Sequence, residues 1–345
     1  MEPITHFLTG ACLGRAGFNR RTALATATMT LAAEAPDLDV FTRFRGPVFA
    51  FTHHRGFTHS FAGLMLVSAL VVAFMYGIWR LRGRETNDLG LPPRWDRLLV
   101  YAYIAGLSHI LLDFTNNYGV RPFWPFSERW YSWDIVFIVE PVMLLALLLG
   151  LVLPRLGLLI SEEIGARRKG PHGQRAAVAA LVVVGLLWAV RDYEHRRALS
   201  ALRARTYDQA DPVQVGAYPA WGNPFQWYGV VETANLCALP VVNSRVPEVD
   251  PDGTMQVLDK PEETPVTLAA KGSRLGRVYF DWARFPVTQT EPLPDGGYLV
   301  RFYDLRFAGA WRGGNPPLSA GVVLDRKLRV IEEFFGRNAQ QVAPD

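Results

Sequence analysis

The stretch SFAGLMLVSALVVAFMYGIW (residues 60–79) decides the fold class of this chain. It contains no charged residue over 20 positions and is followed directly by Arg80 and Arg82. A helix of about 20 apolar residues is long enough to cross the hydrocarbon core of a bilayer. We therefore predict a transmembrane helix over residues 60–79.

Three further apolar stretches raise the prediction to four spans. They cover residues 98–112, 135–154 and 176–190. The last is short for a bilayer, but Arg175 and Arg191 stand at its ends, and long basic side chains can reach from the hydrocarbon edge to the headgroups. The sequence therefore predicts about four transmembrane helices.

The residues before the first span are less hydrophobic and form two short helical patterns. These cover residues 4–14 and 22–33, around a turn at residues 16–19. The N-terminus lacks a basic start and a small-residue cleavage site, so we do not interpret it as a signal peptide. An N-terminal helical hairpin is predicted, and it would return His6 and Asp37 to the same end.

The composition changes beyond Arg203. Prolines and glycines separate short β-rich runs at residues 226–231, 277–282, 298–307 and 321–334. The predicted fold is therefore an α-helical multi-pass membrane domain (residues 1–200) followed by a C-terminal, mostly-β soluble domain (residues 205–345).

Composition excludes several other classes of protein. Of 345 residues, 50% are hydrophobic and 20% are charged, which rules out a disordered chain. The two cysteines lie far apart, so a small disulfide-stapled fold is excluded as well. The net charge of +4 is small and the arginines do not cluster on one soluble face, so no nucleic-acid partner is expected.

Loop charges predict the orientation of the spans. Arginine and lysine are frequent in residues 80–97 and 155–175, whereas residues 115–134 contain only Arg121 and Arg129. Basic loops stay in the cytoplasm. The histidine-rich end and the C-terminal domain should therefore lie on the outer, periplasmic side, although the five arginines in residues 191–205 oppose this assignment.

Five of the seven histidines fall in the first 110 residues, each near a predicted helix end on one side of the membrane: His6, His53, His54, His59 and His109. His109 and Asp113 are four residues apart on an apolar helix, so both side chains project from one face. Ionisable groups in a membrane segment usually line an interior site. This spacing suits two ligands of one metal ion, and the alternative is a hydrogen bond between packed helices.

The segment FTHHRGFTHS (residues 51–60) carries most of the candidate chemistry. His54 and His59 are five apart, which suits ligands that approach from a turn and from the start of a helix. Arg55 offers a planar cation for a phosphate or carboxylate, and Thr58 or Ser60 could cap the next helix. The alternative is a polar interfacial loop.

Imidazole and carboxylate donors without thiolates suit a divalent metal such as zinc. The candidates outnumber the ligands of one tetrahedral site, so we expect one or two ions. Two ions a few ångströms apart can activate water and clamp the oxygens of a phosphate group.

The motifs PDLD (36–39), HRGFTHS (54–60) and SHILLDFTNNYGV (108–120), with His6, resemble the metal-dependent hydrolases of the bacterial inner membrane, a family whose best-known member is under LexA control. That family is distantly similar to zinc-dependent phospholipase C and P1 nuclease. The resemblance covers about residues 1–150 and implies an inner-membrane hydrolase.

The resemblance also implies a set of site residues. The implied metal ligands are His6, Asp37, His54, His59, His109 and Asp113, and Asp39 would be a ligand or would orient a histidine. Two catalytic candidates lie beside them: Arg55, to neutralise charge on substrate oxygens, and His53, as a general acid or an outer-shell group.

Two functions remain open at this stage. The first is phosphoester hydrolysis of a lipid or lipid-linked substrate by metal-activated water, with the bilayer as partner. The second is a non-catalytic membrane protein, in which the metal is structural and the C-terminal domain binds a partner. A transporter with a proton relay fits poorly, because the ionisable groups gather at one end.

The predicted orientation can be tested with reporter fusions after Asp345. Alkaline phosphatase, which folds only outside the cytoplasm, should be active at this position, and green fluorescent protein should be dark. A fluorescent fusion with inactive phosphatase would place the C-terminal domain in the cytoplasm and reverse the assignment.

Overall fold

The structure is a computed structural model, and it describes residues 1–83, 90–163, 173–260, 262–309 and 316–336. Within these ranges the chain forms nine α-helices: α1 (Pro3–Arg15), α2 (Ala25–Glu34), α3 (Pro47–His53), α4 (Phe61–Leu81), α5 (Trp95–Thr115), α6 (Pro141–Glu163), α7 (Gln174–Arg203), α8 (Pro265–Lys271) and α9 (Arg274–Trp282). Four basic residues of the loops whose charges predict the orientation lie outside the described residues: Arg84, Arg167, Arg168 and Lys169.

Among the same described residues, ten β-strands follow the long helices. They are β1 (Gln214–Pro219), β2 (Gln226–Glu232), β3 (Leu236–Leu239), β4 (Val241–Asn243), β5 (Glu248–Val249), β6 (Gln256–Asp259), β7 (Pro286–Pro292), β8 (Tyr298–Asp304), β9 (Ala320–Leu324) and β10 (Val330–Phe335). The predicted fold class, a helical multi-pass part followed by a mostly-β part, is confirmed.

Four of the helices are long and apolar enough to cross a membrane, namely α4, α5, α6 as far as Ile160, and α7. The 21 residues of α4 and of α5 each give about 31 Å of helix, close to the thickness of the hydrocarbon core. The prediction of four spans is therefore confirmed.

The third span begins later than predicted. Its helix starts at Pro141, whereas the apolar stretch starts at residue 135. The amides of Ile135 and Val136 both donate to the carbonyl of Thr115, at 2.9 and 3.2 Å, and both side chains are fully buried. Ile135 and Val136 are apolar because they pack against the end of α5. The helix itself begins at Pro141, because proline favours the first position of a helix.

The N-terminal hairpin consists of α1 and α2, packed closely together through small residues. A Cβ atom added at Gly10 would lie 2.7 Å from the Cβ of Ala33 and 2.7 Å from the carbonyl oxygen of Met29. On its other side α1 meets α6, where the Cys12 thiol points to the carbonyl of Leu147 at 3.6 Å. The hairpin thus returns the chain from His6 to Asp37, as predicted.

The contacts divide the chain into two compact units. The first, the membrane unit, contains residues 1–40 and 55–192, and the second, the C-terminal unit, contains residues 41–54 and 193–345. The boundary after Asp192 falls inside α7. The excursion of residues 41–54 into the C-terminal unit has no counterpart in the sequence prediction.

The C-terminal unit contains two antiparallel sheets among the described residues. One has the order β5-β4-β2-β3-β6, with β1 paired to β2, and the other has the order β10-β9-β8-β7. Three of the four predicted β-rich runs coincide with strands. The turn between β9 and β10 is held by Asp325, whose Oδ1 accepts the amides of Lys327 and Arg329.

The fourth run, residues 277–282, was assigned wrongly to the β structure, because it lies in helix α9. Ser273 caps this helix by accepting the amide of Gly276 at 2.9 Å. Leu275, Tyr279 and Trp282 recur every three or four residues and are buried. The helical period of the apolar residues therefore outweighs the β-propensity of the aromatic ones.

The close packing of the hairpin predicts that Gly10→Ala destabilises the membrane unit by about 1–3 kcal/mol, the usual range for overpacking. Gly77→Ala is the matched control, since nothing lies within 4 Å of an added Cβ at that position of α4. Unfolding of both variants in detergent would be compared with the parent chain. Equal stability of the two variants would contradict the described packing.

Candidate metal centre

Four of the predicted ligands lie together in the membrane unit: Asp37, His59, His109 and Asp113. Each offers one ligand atom, and these atoms all lie within 4.8 Å of one another. The side chains of both histidines and of Asp113 are fully buried, whereas that of Asp37 is 27% exposed. Among the described residues, this cluster is therefore a candidate site for a metal ion.

Three elements bring the cluster together. Asp37 lies in the 3-10 segment Ala35–Arg45, directly after α2. His59 ends the short 3-10 turn Phe57–His59, and Ser60 then caps α4 by accepting the amide of Gly63. His109 and Asp113 lie one turn apart near the end of α5, as their spacing predicts. The site is therefore built where two candidate spans begin and end.

The separations of the donor atoms fit one tetrahedral ion. The two Nε2 atoms of His59 and His109 are 3.0 Å apart. From these atoms to Asp37 Oδ1 and Asp113 Oδ2 the distances are 3.4 to 3.6 Å. Two ligands at about 2.0–2.1 Å from a tetrahedral zinc ion stand roughly 3.3 Å apart. The four donor atoms form a tetrahedron with six edges, and five of these edges thus have lengths that fit coordination of one zinc ion.

The other ring nitrogen of each histidine has a partner behind it. Nδ1 of His109 donates to the carbonyl of Ala33 at 2.7 Å, which places the proton on Nδ1 and leaves the Nε2 lone pair facing the cluster. Nδ1 of His59 lies 3.1 Å from Oγ1 of Thr58 and 3.5 Å from Oδ2 of Asp39. Such partners fix the tautomer and orientation of ligating histidines. This geometry favours the orienting role for Asp39 over the role of a ligand.

The two oxygens of Asp113 have different surroundings. Oδ1 accepts from Nη2 of Arg55 at 2.8 Å and also contacts the amino group of Met1. Oδ2 is buried without a hydrogen-bond partner and faces the two histidines. A buried acceptor normally finds a donor. One oxygen is thus held by cations, while the other is oriented for an additional ligand.

Arg55 is buried, and its guanidinium is hydrogen-bonded to other residues of the protein. Besides Asp113, its Nη1 donates to the carbonyl of Gly119 at 3.0 Å and to Oδ1 of Asn116 at 3.3 Å, and its guanidinium covers the ring of Tyr118. These contacts hold Asp113 and the turn after α5. The Arg55 guanidinium is therefore not the free cation that the predicted contact with substrate oxygens requires.

His6 lies against the cluster but outside the group of four. Its ring stacks on that of His109 with centroids 3.7 Å apart, and its Nε2 is 3.4 Å from Oδ1 of Asp113. Both ring nitrogens are buried without a hydrogen-bond partner. Burial lowers the pKa of His6 to about 3, so that the ring is neutral at physiological pH and keeps a lone pair for a metal.

The charges of the cluster favour a cation at its centre. Burial disfavours the charged form of His59, but the nearby carboxylates of Asp113 and Asp37 outweigh this effect and raise the pKa of His59. Burial likewise disfavours ionised Asp37, but its hydrogen bond with His59 and the charge of His109 lower the pKa of Asp37. Both pKa shifts thus reflect the attraction between His59 and the carboxylates around it.

One acidic residue beside the site was missed by the sequence analysis. Glu34 ends α2, three residues before Asp37, and its Oε1 is buried without a hydrogen-bond partner. Burial and the charge of Asp37 raise the pKa of Glu34 to about 7. The sequence contained one signal that Glu34 lies near the site, namely its position in the last turn of a helix that leads to PDLD.

His53 and His54 belong to the C-terminal unit, at the end of α3. The ring of His53 stacks on Phe49 at 3.9 Å, and its Nδ1 hydrogen-bonds the carbonyl of Phe49. The amide of His54 donates to the carbonyl of Ala50. The roles of His54 as a ligand and of His53 as a general acid stay predictions.

The donor set agrees with the chemistry of a divalent metal. Two imidazole nitrogens and two carboxylate oxygens suit zinc and other borderline or hard divalent ions. Oδ2 of Asp113 has no hydrogen-bond partner, and the separations of the donor atoms match those around a tetrahedral ion. Both observations support a metal ion at this site. These four residues could therefore hold one ion, with His6 beside it.

Comparisons with known proteins agree with a membrane location. A sequence profile of the YdjM inner membrane protein family matches residues 1–198, which include every predicted site residue. The uncharacterized protein YfhP of Bacillus subtilis (strain 168) is 24% identical over 346 residues, which cover 97% of this chain and 95% of the relative. No solved structure matches the chain. The family description names a location and no reaction.

The cluster predicts a specific pattern of metal binding. Asp113→Asn should remove bound metal, because it replaces the buried carboxylate that faces both histidines, whereas Asp39→Asn should weaken affinity by roughly 10–100-fold. Asp96→Asn, the same change at an exposed site on the same helix, is the control. Elemental analysis and chelator competition would measure these effects. Full metal occupancy in Asp113→Asn would refute the assigned site.

Proposed function

The chain belongs to the YdjM inner membrane protein family, and we propose that it is a membrane-bound, metal-dependent hydrolase acting on a phosphoester in a lipid or lipid-linked substrate. The observation that carries this proposal is the tetrahedral arrangement of four donor atoms beside the ends of two candidate spans.

In this proposal Asp37, His59, His109 and Asp113 hold the metal, for which zinc is the expected ion. His6 is the candidate ligand for a second ion, because its neutral, unpartnered ring already lies against the cluster. A divalent ion supplies Lewis-acid activation of water and of a phosphoryl oxygen. The protein contributes a buried donor set of defined geometry.

Access to the site is proposed to run past Asp37, the candidate ligand whose side chain is partly exposed. Leu38 directly after it is exposed, and so are Ile4 and Phe7 on α1, which flank His6 in the sequence. Exposed apolar residues next to the site residues in the sequence favour an amphiphilic molecule with an anionic head. This supports a lipid or lipid-linked phosphoester as the substrate.

The remaining polar residues receive roles that follow from their contacts. Arg55 acts on Asp113 as a positioning residue, since both of its terminal nitrogens bind protein groups. Glu34 is the candidate proton acceptor, because a carboxylate with a pKa of about 7 exchanges protons readily at physiological pH. His53 remains the candidate general acid. The periplasmic location of the site is part of the proposal.

One observation favours the structural alternative. Three of the four donors are completely buried, and structural zinc sites are closed, whereas catalytic sites keep an open position. In that case the ion would only tie α5 to the segments around Asp37 and His59, and the C-terminal unit would bind a partner.

Activity measurements separate these two functions. The purified protein should hydrolyse phosphoesters in detergent, and His59→Ala and Asp113→Ala should each lower turnover by more than the roughly 10–100-fold cost of outer-shell substitutions. Asp96→Asn should retain activity. A chelator should abolish turnover and leave the helical content unchanged.

Two results would contradict the proposal. Equal turnover by the parent chain and by both alanine variants would exclude the cluster as the catalytic site. Unfolding in chelator, without measurable hydrolysis beforehand, would instead support the structural alternative.

A further inference from the structure

Residues 41–54 leave the membrane unit and return to it beside the candidate metal centre. Residues 1–40 and the chain from Arg55 onward belong to the membrane unit, while the intervening segment 41–54 belongs to the C-terminal unit. The chain therefore enters the C-terminal unit at Phe41, two residues after Asp39, and leaves it directly before Arg55. Asp39 and Arg55 both contact ligands of the cluster.

The two ends of the segment are joined to each other. The amide of Arg55 donates to Oδ2 of Asp39 at 2.8 Å, and the same oxygen lies 3.5 Å from Nδ1 of His59. The guanidinium of Arg55 binds Asp113 at 2.8 Å. A displacement of either end would therefore change the position of a histidine or a carboxylate ligand.

Arg55 also has a backbone conformation that needs support. Its φ is +52°, in the left-handed region that arginine rarely adopts. Such residues persist only where the surrounding structure determines their conformation. The hydrogen bond to Asp39 holds Arg55 on one side, and on the other side Arg55 is joined to His54, whose amide donates to the carbonyl of Ala50 in α3.

The segment is anchored in the C-terminal unit by Phe51. This side chain is 5% exposed, and its ring lies 4.4 Å from that of Phe335, 5.3 Å from that of Trp282 and 6.2 Å from that of Tyr279. Trp282 and Tyr279 are themselves buried on α9. Three residues lie between this anchor and Arg55, so that the Cα atoms of Phe51 and Arg55 are at most about 14 Å apart.

We propose that the C-terminal unit holds the metal centre in its binding geometry through segment 41–54, with Phe51 as a positioning residue. The inference rests on the metal centre of the proposed function. It assigns the C-terminal unit a role for which no second protein is needed. Loss of the Phe51 anchor frees the segment, and Arg55 and Asp39 then lose the arrangement that orients Asp113 and His59.

The test compares two phenylalanine variants of the full-length protein in detergent. Phe51→Ala should weaken zinc affinity by at least about 10-fold, the cost of losing outer-shell support, as measured by competition with a chromophoric chelator. Phe285→Ala is the matched control, because Phe285 is buried in a separate hydrophobic cluster of the same unit. Phe51→Leu, which keeps an apolar anchor, should restore most of the affinity.

A second measurement does not depend on bound metal. Hydrogen–deuterium exchange at the amide of Arg55 should accelerate in Phe51→Ala and remain at the parent rate in Phe285→Ala. Unchanged affinity and exchange in Phe51→Ala would overturn the inference, and so would equal losses in both alanine variants. If the parent chain binds no zinc, the proposed function fails, and the exchange rates alone decide whether Phe51 holds the segment.

Discussion

The charge of Asp113 is the constraint on which the membrane unit depends. An ionised carboxylate that is fully buried at the end of a membrane helix is costly unless cations and donors surround it. Arg55, the Met1 amine and two histidines converge on it from three separate parts of the chain. The helical hairpin, the turn before α4 and the end of α5 are therefore held in one arrangement by a single charged group.

Much of this arrangement could be predicted from local patterns. Uninterrupted apolar stretches identify the spans, and a spacing of four residues places His109 and Asp113 on one face. The contacts that depend on tertiary structure could not be predicted. The Asp39–Arg55 bond joins residues 16 apart, and the stacking of His6 on His109 depends on how α1 packs. Residues 135–140 resemble a span, because burial in a protein and burial in lipid select the same apolar residues.

In the C-terminal part, too, local sequence patterns predict some elements and fail to predict others. Strand alternation was sufficient to predict β8, but the aromatic residues of α9 have high β-propensity and their helical period went unrecognised. The excursion of segment 41–54 leaves no compositional signal. Yet it lies between Asp39 and Arg55 in the sequence, and both of these residues contact candidate metal ligands.

X-ray absorption spectroscopy of the metal that copurifies with the detergent-solubilised protein would identify the ligand atoms of the site. Coordination by two histidines and two carboxylates predicts a first shell of nitrogen and oxygen only, at about 2.0–2.1 Å for zinc, with the outer-shell scattering of imidazole rings. A sulfur shell at about 2.3 Å, which only Cys12, Cys237 or a methionine could supply, would contradict it. A spectrum without imidazole scattering would contradict it equally.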